Sequence, residues 1–444
     1  RMSTIVEEEP FAAAVVTSHL ASVCSNCFGR NDDRPLLRCS RCKQLRYCSS
    51  ECQKKDWSIH KEECVCLMHV SPRIPTSMAR LLGRLAIRRA KGDHQSFRSF
   101  NGRSLEDLMT HREEIEKDPE RLEFFTCLSM VLREYLSRDL LPDTVTLLAD
   151  FGRIVVNCFS ITGDDQITIG EGVYVGLSAL DHSCSPDAYV RFRGSKALLR
   201  SPRSGIAFNN SLTIPYTALD TLNWDRRQAL KRQYYFTCFC SVCKDDQRDG
   251  RARSIRCSSC PSGICLVHTN SATLACMDCA AVQAIDPYDA IRANQEIEWF
   301  LEKKKDQSDE TDLTSSLSSS ISLFDRHRSL LSQANLPLAS LAFRIINLSL
   351  ALDRRDLALQ YASSFLPAYK LYLPHGHPLL TQCLLTAAIA ASYADPPSVQ
   401  VLAMFEEARE ACLLSHGPRD PECASADRQV TAYRTRLQNE GGEE

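Results

Sequence analysis

Twenty-two cysteines in 444 residues constrain this chain more than any other feature, because of where they fall. They crowd residues 24 to 66 and 238 to 279, and only three lie beyond residue 280. Scaffolds this rich in disulfides are usually short and secreted. Arg1 to Pro10 instead carries three successive acids and lacks the basic-then-apolar order of a signal peptide. The expectation is an intracellular chain loaded with zinc.

The first cluster holds four close pairs: Cys24-x2-Cys27, Cys39-x2-Cys42, Cys48-x3-Cys52 and His60-x3-Cys64. Eight thiolate and imidazole ligands make two closed tetrahedral sites. Cys48/Cys52 and His60/Cys64 have i,i+4 spacing, which puts both members on one helix face. An interleaved arrangement is expected, with Cys24, Cys27, Cys48 and Cys52 on one ion and Cys39, Cys42, His60 and Cys64 on the other. A segment this short cannot bury enough core alone, so metal is its source of stability.

A second constellation, Cys238-x-Cys240-x2-Cys243, supplies three ligands and needs a fourth. The nearest candidate is Cys184, in Asp181-His182-Ser183-Cys184; a redox or structural thiol group is the alternative. A third, Cys257-x2-Cys260 followed by Cys276-x2-Cys279, matches the four-thiolate ribbon spacing, with Cys265 and His268 as spare candidates. Between its pairs, Ile264, Leu266 and Val267 and then Thr273-Leu274-Ala275 read as two strands of a hairpin. Four sets of ligands predict about four zinc ions.

Elsewhere the pattern divides. Residues 76 to 150 read as amphipathic helices, with Met78, Leu81, Leu82, Leu85 and Ile87, then Leu122, Phe125, Leu128, Val131 and Leu132, at helical spacing. Residues 151 to 216 carry short β-branched or aromatic runs: Ile154-Val155-Val156, Val173-Tyr174-Val175, Tyr189-Val190-Arg191-Phe192 and Leu212-Thr213-Ile214. They read as strands. Beyond Asp286 helices return near 338–352, 355–370, 378–394, 399–415 and 420–438, punctuated by Pro374-His375-Gly376 and Asp395-Pro396-Pro397. Paired helices of this length suggest a tetratricopeptide-like solenoid. The Ser-rich, acidic stretch Asp306 to Ser320 reads as a flexible loop or a poorly packed helix end.

Composition excludes several classes. Hydrophobic residues at 44% and charged at 24% are those of a globular chain. No run of roughly 18 apolar residues is present, and a formal net charge of -2 argues against bulk nucleic-acid binding. One basic stretch stands out: Arg73, Arg80, Arg84, Arg88, Arg89, Lys91, Arg98 and Arg103 against Asp93 alone. It is either a face for nucleic acid or an acidic protein, or solvated helix surface, the commoner fate.

The first cluster, with Arg46-Tyr47-Cys48-Ser49-Ser50-Glu51-Cys52-Gln53 and Trp57-Ser58-Ile59-His60-Lys61, resembles a MYND zinc finger. Asn157-Cys158-Phe159-Ser160-Ile161, Asp181-His182-Ser183-Cys184-Ser185-Pro186-Asp187 and Tyr234-Tyr235-Phe236-Thr237-Cys238-Phe239-Cys240 resemble a SET methyltransferase core with its post-SET cysteines. This order is that of the SET-and-MYND (SMYD) family of protein lysine methyltransferases. The resemblance implies a multidomain α+β chain: a remnant of the N-terminal SET segment (1–23), MYND finger (24–64), helical insert (65–150), β-rich SET core (151–220) and post-SET zinc region (221–250). A zinc ribbon-like module (251–284) and an all-α, tetratricopeptide-like C-terminal domain (285–444) follow.

The family implies methyl transfer from S-adenosylmethionine to a lysine of a histone or non-histone protein, a positioning task without a catalytic metal. Carried onto this chain, Tyr216 and Tyr234 match the catalytic tyrosine and a wall of the lysine channel. Asn157, Ser178, Leu180, Asp181, His182, Tyr216 and Phe236 match cofactor-contacting positions, and Cys184, Cys238, Cys240 and Cys243 match the family's third zinc site. Without the resemblance, Tyr216, Tyr234 and Phe236 would read as core aromatics. Proline-rich peptides are the partner implied at the finger, and the helical C-terminal domain is expected to wall the substrate cleft. The remaining expectations are a monomer in the nucleus and cytoplasm, with nucleic acid the weaker partner and no membrane. A catalytically weak scaffold is the competing reading.

The chain departs from the family at three points. Its first residues resemble only the end of a Gly-rich segment whose amides would hold the cofactor, so roughly twenty residues of that segment are expected to be missing. Asp181 replaces an Asn, an acceptor-only group in place of an amide. Phe208-Asn209-Asn210-Ser211 stands where Gly-Glu-Glu is usual.

Overall fold

The structure, a computed structural model, describes residues 4–30, 34–163, 167–268, 272–306 and 312–440. Its β core is assembled from segments far apart in the chain. Thr4–Glu8 pairs antiparallel with Lys196–Arg200, Glu7 facing Leu198, and Tyr189–Arg193 completes this sheet as its edge. Ala12–Val15 pairs with Thr168–Val173, which also pairs with Cys158–Thr162. A short parallel pair, Asp181–His182 beside Thr213–Ile214, joins the loops between them.

The finger and helices between the second strand and residue 158 are therefore an insertion into a sheet core, and they pack back on it. All four residues of Ala12–Val15 are buried, and their small side chains let the Ser77–Ala90 helix approach closely. At the hairpin turn between the last two strands of the first sheet, Gly194 has φ +59°. An added Cβ would sit 2.1 Å from the Cys27 carbonyl oxygen, which also accepts from Ser195 N at 2.9 Å. The glycine thus lets the finger seat on this turn.

Helix starts follow local chemistry. Ser49 and Thr76 accept from Cys52 N and Ala79 N at 3.2 and 3.3 Å, capping the Ser50–His69 and Ser77–Ala90 helices. Asp143 accepts from Val145 N and Thr146 N, starting a helix over Thr144–Asn157. This corrects the strand reading of Ile154-Val155-Val156. With Leu147, Leu148 and Phe151, Ile154 and Val155 bury one helical face, and that face outweighs β propensity.

The basic stretch is also corrected, because its central arginines point inward. Arg80 and Arg84 are 1% and 5% exposed. Arg80 donates to the Val15 carbonyl, and Arg84 forks onto Asp56 and Glu63. Arg88 pairs with Asp93 at 2.9 Å and Arg89 with Asp150 at 2.5 Å. Arg84 and Arg89 thus neutralise acids distant in sequence, Arg88 a near one, and Arg80 serves backbone carbonyls, so these four present no free basic face.

After residue 220 the chain is largely helical. The expected 355–370 helix is two, Arg355–Tyr361 and Leu366–Tyr372. Pro367 cannot bond back to the Ser363 carbonyl and its ring would clash there, so the helix stops and restarts with the proline in its first turn. Leu313–Ser320 belongs to the Leu313–His327 helix, capped by Asp312 and burying Leu317 and Ser320; residues 307–311 of the Ser-rich stretch lie outside the described residues. In the ribbon, Ile264–Cys265 pairs with Ile255–Arg256, while of Thr273–Ala275 only Ala275 forms an isolated bridge, to Val282, and Leu266-Val267 forms no strand, correcting the expected hairpin. At Gly263 a Cβ would lie 2.4 and 2.5 Å from the Cys276 and Cys260 sulfurs, so the knuckle needs a glycine there. No helix among the described residues is long and apolar enough to cross a membrane.

Among the described residues two large apolar cores result, beside a small cluster of Cys412, Cys423 and Ala426. One is built from residues between Phe11 and Ile214, the other from residues between Cys184 and Tyr433. Tyr216 packs against both.

Candidate functional site

Four sets of four ligands converge. Cys24, Cys27, Cys48 and Cys52 form one, Cys39, Cys42, His60 and Cys64 a second, Cys184, Cys238, Cys240 and Cys243 a third, and Cys257, Cys260, Cys276 and Cys279 a fourth, with ligand atoms within 4.8 Å of one another in each. Cys27 Sγ lies 3.7 Å from Cys48 Sγ, Cys39 Sγ 3.8 Å from Cys64 Sγ, and Cys260 Sγ 3.7 Å from Cys276 Sγ. Thiolates about 2.3 Å from a tetrahedral zinc are separated by such distances, whereas a disulfide needs about 2.05 Å. The donor sets fit structural zinc.

The surroundings differ between sets. His60 uses Nε2 toward Cys42 (3.7 Å) and presents Nδ1 to Glu63 at 3.1 Å. Glu63 is gripped by Arg84 at 2.6 and 3.0 Å, Arg84 by Asp56 at 3.0 Å, and Asp56 accepts from the Tyr47 hydroxyl at 2.8 Å. A carboxylate behind a ligating histidine fixes its ring and raises its basicity. In the third set Arg226 Nε donates to Cys184 Sγ at 3.3 Å. In the fourth, Cys279 is exposed.

A cavity of about 340 Å³ opens where the two cores meet. Its wall takes Asn157, Cys158 and Phe159 from the junction between the Thr144–Asn157 helix and the following strand, and Ser178 and Leu180 from the loop at 176–180. That loop is held by Glu8, whose carboxylate accepts from Gly176 N at 2.7 Å and Leu177 N at 2.8 Å. Burial raises the Glu8 pKa against those two bonds. Asn157 spends its amide hydrogens on the Met109 and Arg153 carbonyls, which orients its side chain.

Tyr216 and Tyr234 line the same cavity, their ring centres 4.8 Å apart. The Tyr216 hydroxyl donates to the Leu180 carbonyl at 2.5 Å, and its backbone N–H donates to His182 Nδ1 at 3.0 Å. Burial raises the pKa of both tyrosines. His182 is pushed down to about 4 by burial and then by Arg226, so its imidazole is neutral and can accept.

The residues singled out from sequence divide accordingly. Asn157, Ser178, Leu180, Tyr216 and Tyr234 lie on the cavity. His182 and Phe236 are not on the lining, and their rings lie 5.4 and 6.4 Å from the Tyr216 ring. Asp181 is exposed beside Thr213 in the parallel pair. Sequence reasoning missed Tyr189, Arg191, Phe192, His377 and Pro378, which complete the lining. The strand reading of 189–192 was the only local signal for the first three; His377 and Pro378 come from a turn nearly 200 residues later.

The MYND finger family matches residues 24–64. The histone-lysine N-methyltransferase SMYD3 of Homo sapiens is 32% identical over 246 residues, 55% of this chain and 57% of that protein. The N-lysine methyltransferase SMYD2-B of Danio rerio is 30% identical over 237 residues, 53% of each chain. The histone-lysine N-methyltransferase ASHR1 of Arabidopsis thaliana is 24% identical over 401 residues, 85% of this chain and 79% of that protein. In the first two comparisons the match spans little more than half the length of the relative.

Proposed function

Because the chain belongs to the SET-and-MYND family, we propose that it transfers a methyl group from S-adenosylmethionine to a lysine ε-amine of a histone or another protein. One observation carries this reading: the Tyr216 hydroxyl, tethered to the Leu180 carbonyl, sits among Tyr234, Phe236 and His182 on a cavity between two cores.

S-adenosylmethionine fits the cavity in kind. Its volume falls in the range of small-molecule sites, roughly 300 to 1,000 Å³, and Asn157 and Ser178 line it together with aromatic residues. When bound, the cofactor supplies an electrophilic methyl on a sulfonium. The chain's residues do the rest. Tyr216, its hydroxyl proton held by Leu180, keeps oxygen lone pairs available to an amine N–H. Tyr234 and Phe159 on the lining exclude water, which disfavours the ammonium and leaves the nucleophilic amine. The zinc sets hold these segments in place and take no part in the chemistry.

On this reading the substrate is a protein, the finger offers a site for a proline-rich peptide, and the protein works in the nucleus and cytoplasm. Isothermal titration of the full chain with S-adenosylmethionine tests it: absence of binding sinks the enzyme reading and leaves a zinc-built scaffold. Given binding, Tyr216→Phe should lower methyl transfer roughly a hundredfold, the scale of losing one preorganised polar contact, with unchanged near-ultraviolet dichroism.

A further inference from the structure

The cavity wall on the side of the C-terminal helices carries a buried charge whose counter-charge is shared with His416. Arg191 stands in the edge strand Tyr189–Arg193. Strand alternation sends Tyr189 and Arg191 to one face and Val190 and Phe192 to the other, where Phe192 meets Tyr174 at 5.7 Å. The Arg191 side chain is 8% exposed, lines the cavity, and has an Nε with no hydrogen-bond partner among the described residues. The acid it meets, Glu422, is 3.7 Å away and is already bound by His416 Nε2 at 2.5 Å. On the neighbouring strand Arg200 is equally buried, with Nε and Nη2 unpartnered, and the Tyr189 hydroxyl is a third buried group without a partner. A buried guanidinium short of an anion is costly, and orphaned buried donors mark places where a ligand completes the structure.

We propose that Arg191 selects the substrate: it binds the carboxylate of an Asp or Glu close to the target lysine, with the Tyr189 hydroxyl as a second donor. The inference rests on the lysine-methylation reading. A planar guanidinium suits a carboxylate because its fork matches both oxygens. The carboxylate of S-adenosylmethionine offers the same chemistry. Arg191 shares its face with Tyr189, which packs edge-on against His377 at 5.1 Å, so it belongs to the wall shared with the C-terminal helices. Asn157, Ser178 and Leu180, the residues matched to cofactor contacts, line the cavity from segments at 157–180, apart from the His377 turn. The substrate acid is therefore the occupant assigned.

The test pairs lysine peptides that differ only by Asp or Glu against Ala at single positions flanking the lysine. With the full chain, one acidic position should raise kcat/KM roughly tenfold or more, through KM, the scale of a charge-assisted hydrogen bond. Arg191→Gln and Arg191→Met, the latter filling similar volume without charge, should each bring that ratio near one, and Arg191→Glu should favour a basic flank instead. A ratio near one in the unaltered chain, or one that survives Arg191→Gln, overturns the proposal. So does weakened S-adenosylhomocysteine binding in Arg191→Gln with the peptide ratio intact, which places the cofactor's carboxylate there. If no peptide is methylated, the lysine-methylation reading fails separately. Fluorescence anisotropy of the same peptides on the full chain with S-adenosylhomocysteine then reads acid preference directly, and its absence overturns the role of Arg191.

Discussion

Two zinc sets in this chain, the second of the finger and that of the ribbon, use similar ligands in opposite settings. In the finger, Cys39, Cys42, His60 and Cys64 are all buried, and a second layer of Glu63, Arg84, Asp56 and Tyr47 stands behind the histidine. In the ribbon, Cys276 is buried but Cys257 and Cys260 are half-exposed and Cys279 exposed. Cys257 Sγ accepts from Ser259 N and Gln283 Nε2, and Cys276 Sγ from Asp278 N, all of them uncharged donors. Burial and a connected second layer set the finger's ligands inside the first core; the ribbon sends Ile255, Cys265, Val267 and Leu274 into the second core but leaves most of its ligand sulfurs at the surface.

The largest test of that contrast is Arg84→Met. It leaves Asp56 and Glu63 as uncompensated buried acids and should cost about 3–5 kcal/mol, read as a lowered midpoint in denaturant titration; a cost under about 1 kcal/mol would erase the distinction between the two settings. Next, Glu63→Gln should weaken zinc at the finger set roughly 10- to 100-fold by competition with a chromophoric chelator, whereas Gln283→Ala should change zinc retention at the ribbon by less. Graded chelator should then release ribbon zinc first, with the finger ions leaving only as the first core unfolds, followed by elemental analysis and circular dichroism.

A third region sharpens the comparison by responding to pH and not to chelator. His377 caps the Pro378–Ala391 helix by accepting from Leu379 N at 3.1 Å through Nδ1, and burial pushes its pKa down to about 4. The neutral form is the folded one, so its stabilisation is full above the unfolded value near 6.5 and is lost as pH falls from there toward 4, at up to about 1.4 kcal/mol per pH unit. His377→Asn keeps a capping acceptor and should flatten that slope in thermal unfolding. The smallest effect is expected at an exposed pair: Arg73 and Glu134, 75% and 64% exposed at 3.3 Å, where Arg73→Ala should change stability by under about 1 kcal/mol.

Local signals and long-range ones separated cleanly in this molecule. Ligand pairs two or three residues apart are readable because each knuckle is local, whereas the caps Ser49 and Asp143 show their role only in the structure. The β-branched run Ile154-Val155-Val156 misled because its burial partners, not its propensity, decide its form. The arginines of residues 80 to 89 misled because a sequence shows charge but not the distant acids, Asp56, Glu63 and Asp150, that absorb it. Tyr189, Arg191 and His377 went unnoticed because nothing in their own segments distinguishes them.

By itself the sequence determined a family, a zinc-built architecture and the aromatic residues of a candidate site, since each rests on residue type and short spacing. Only the tertiary structure decided that the strands at residues 4–15 close sheets with strands some 150 to 190 residues later. The same fold put a turn of the helical region on the cavity at His377 and left Arg191 buried there without a full counter-charge. Those outcomes depend on contacts between distant segments, where burial sets the strength of each charge.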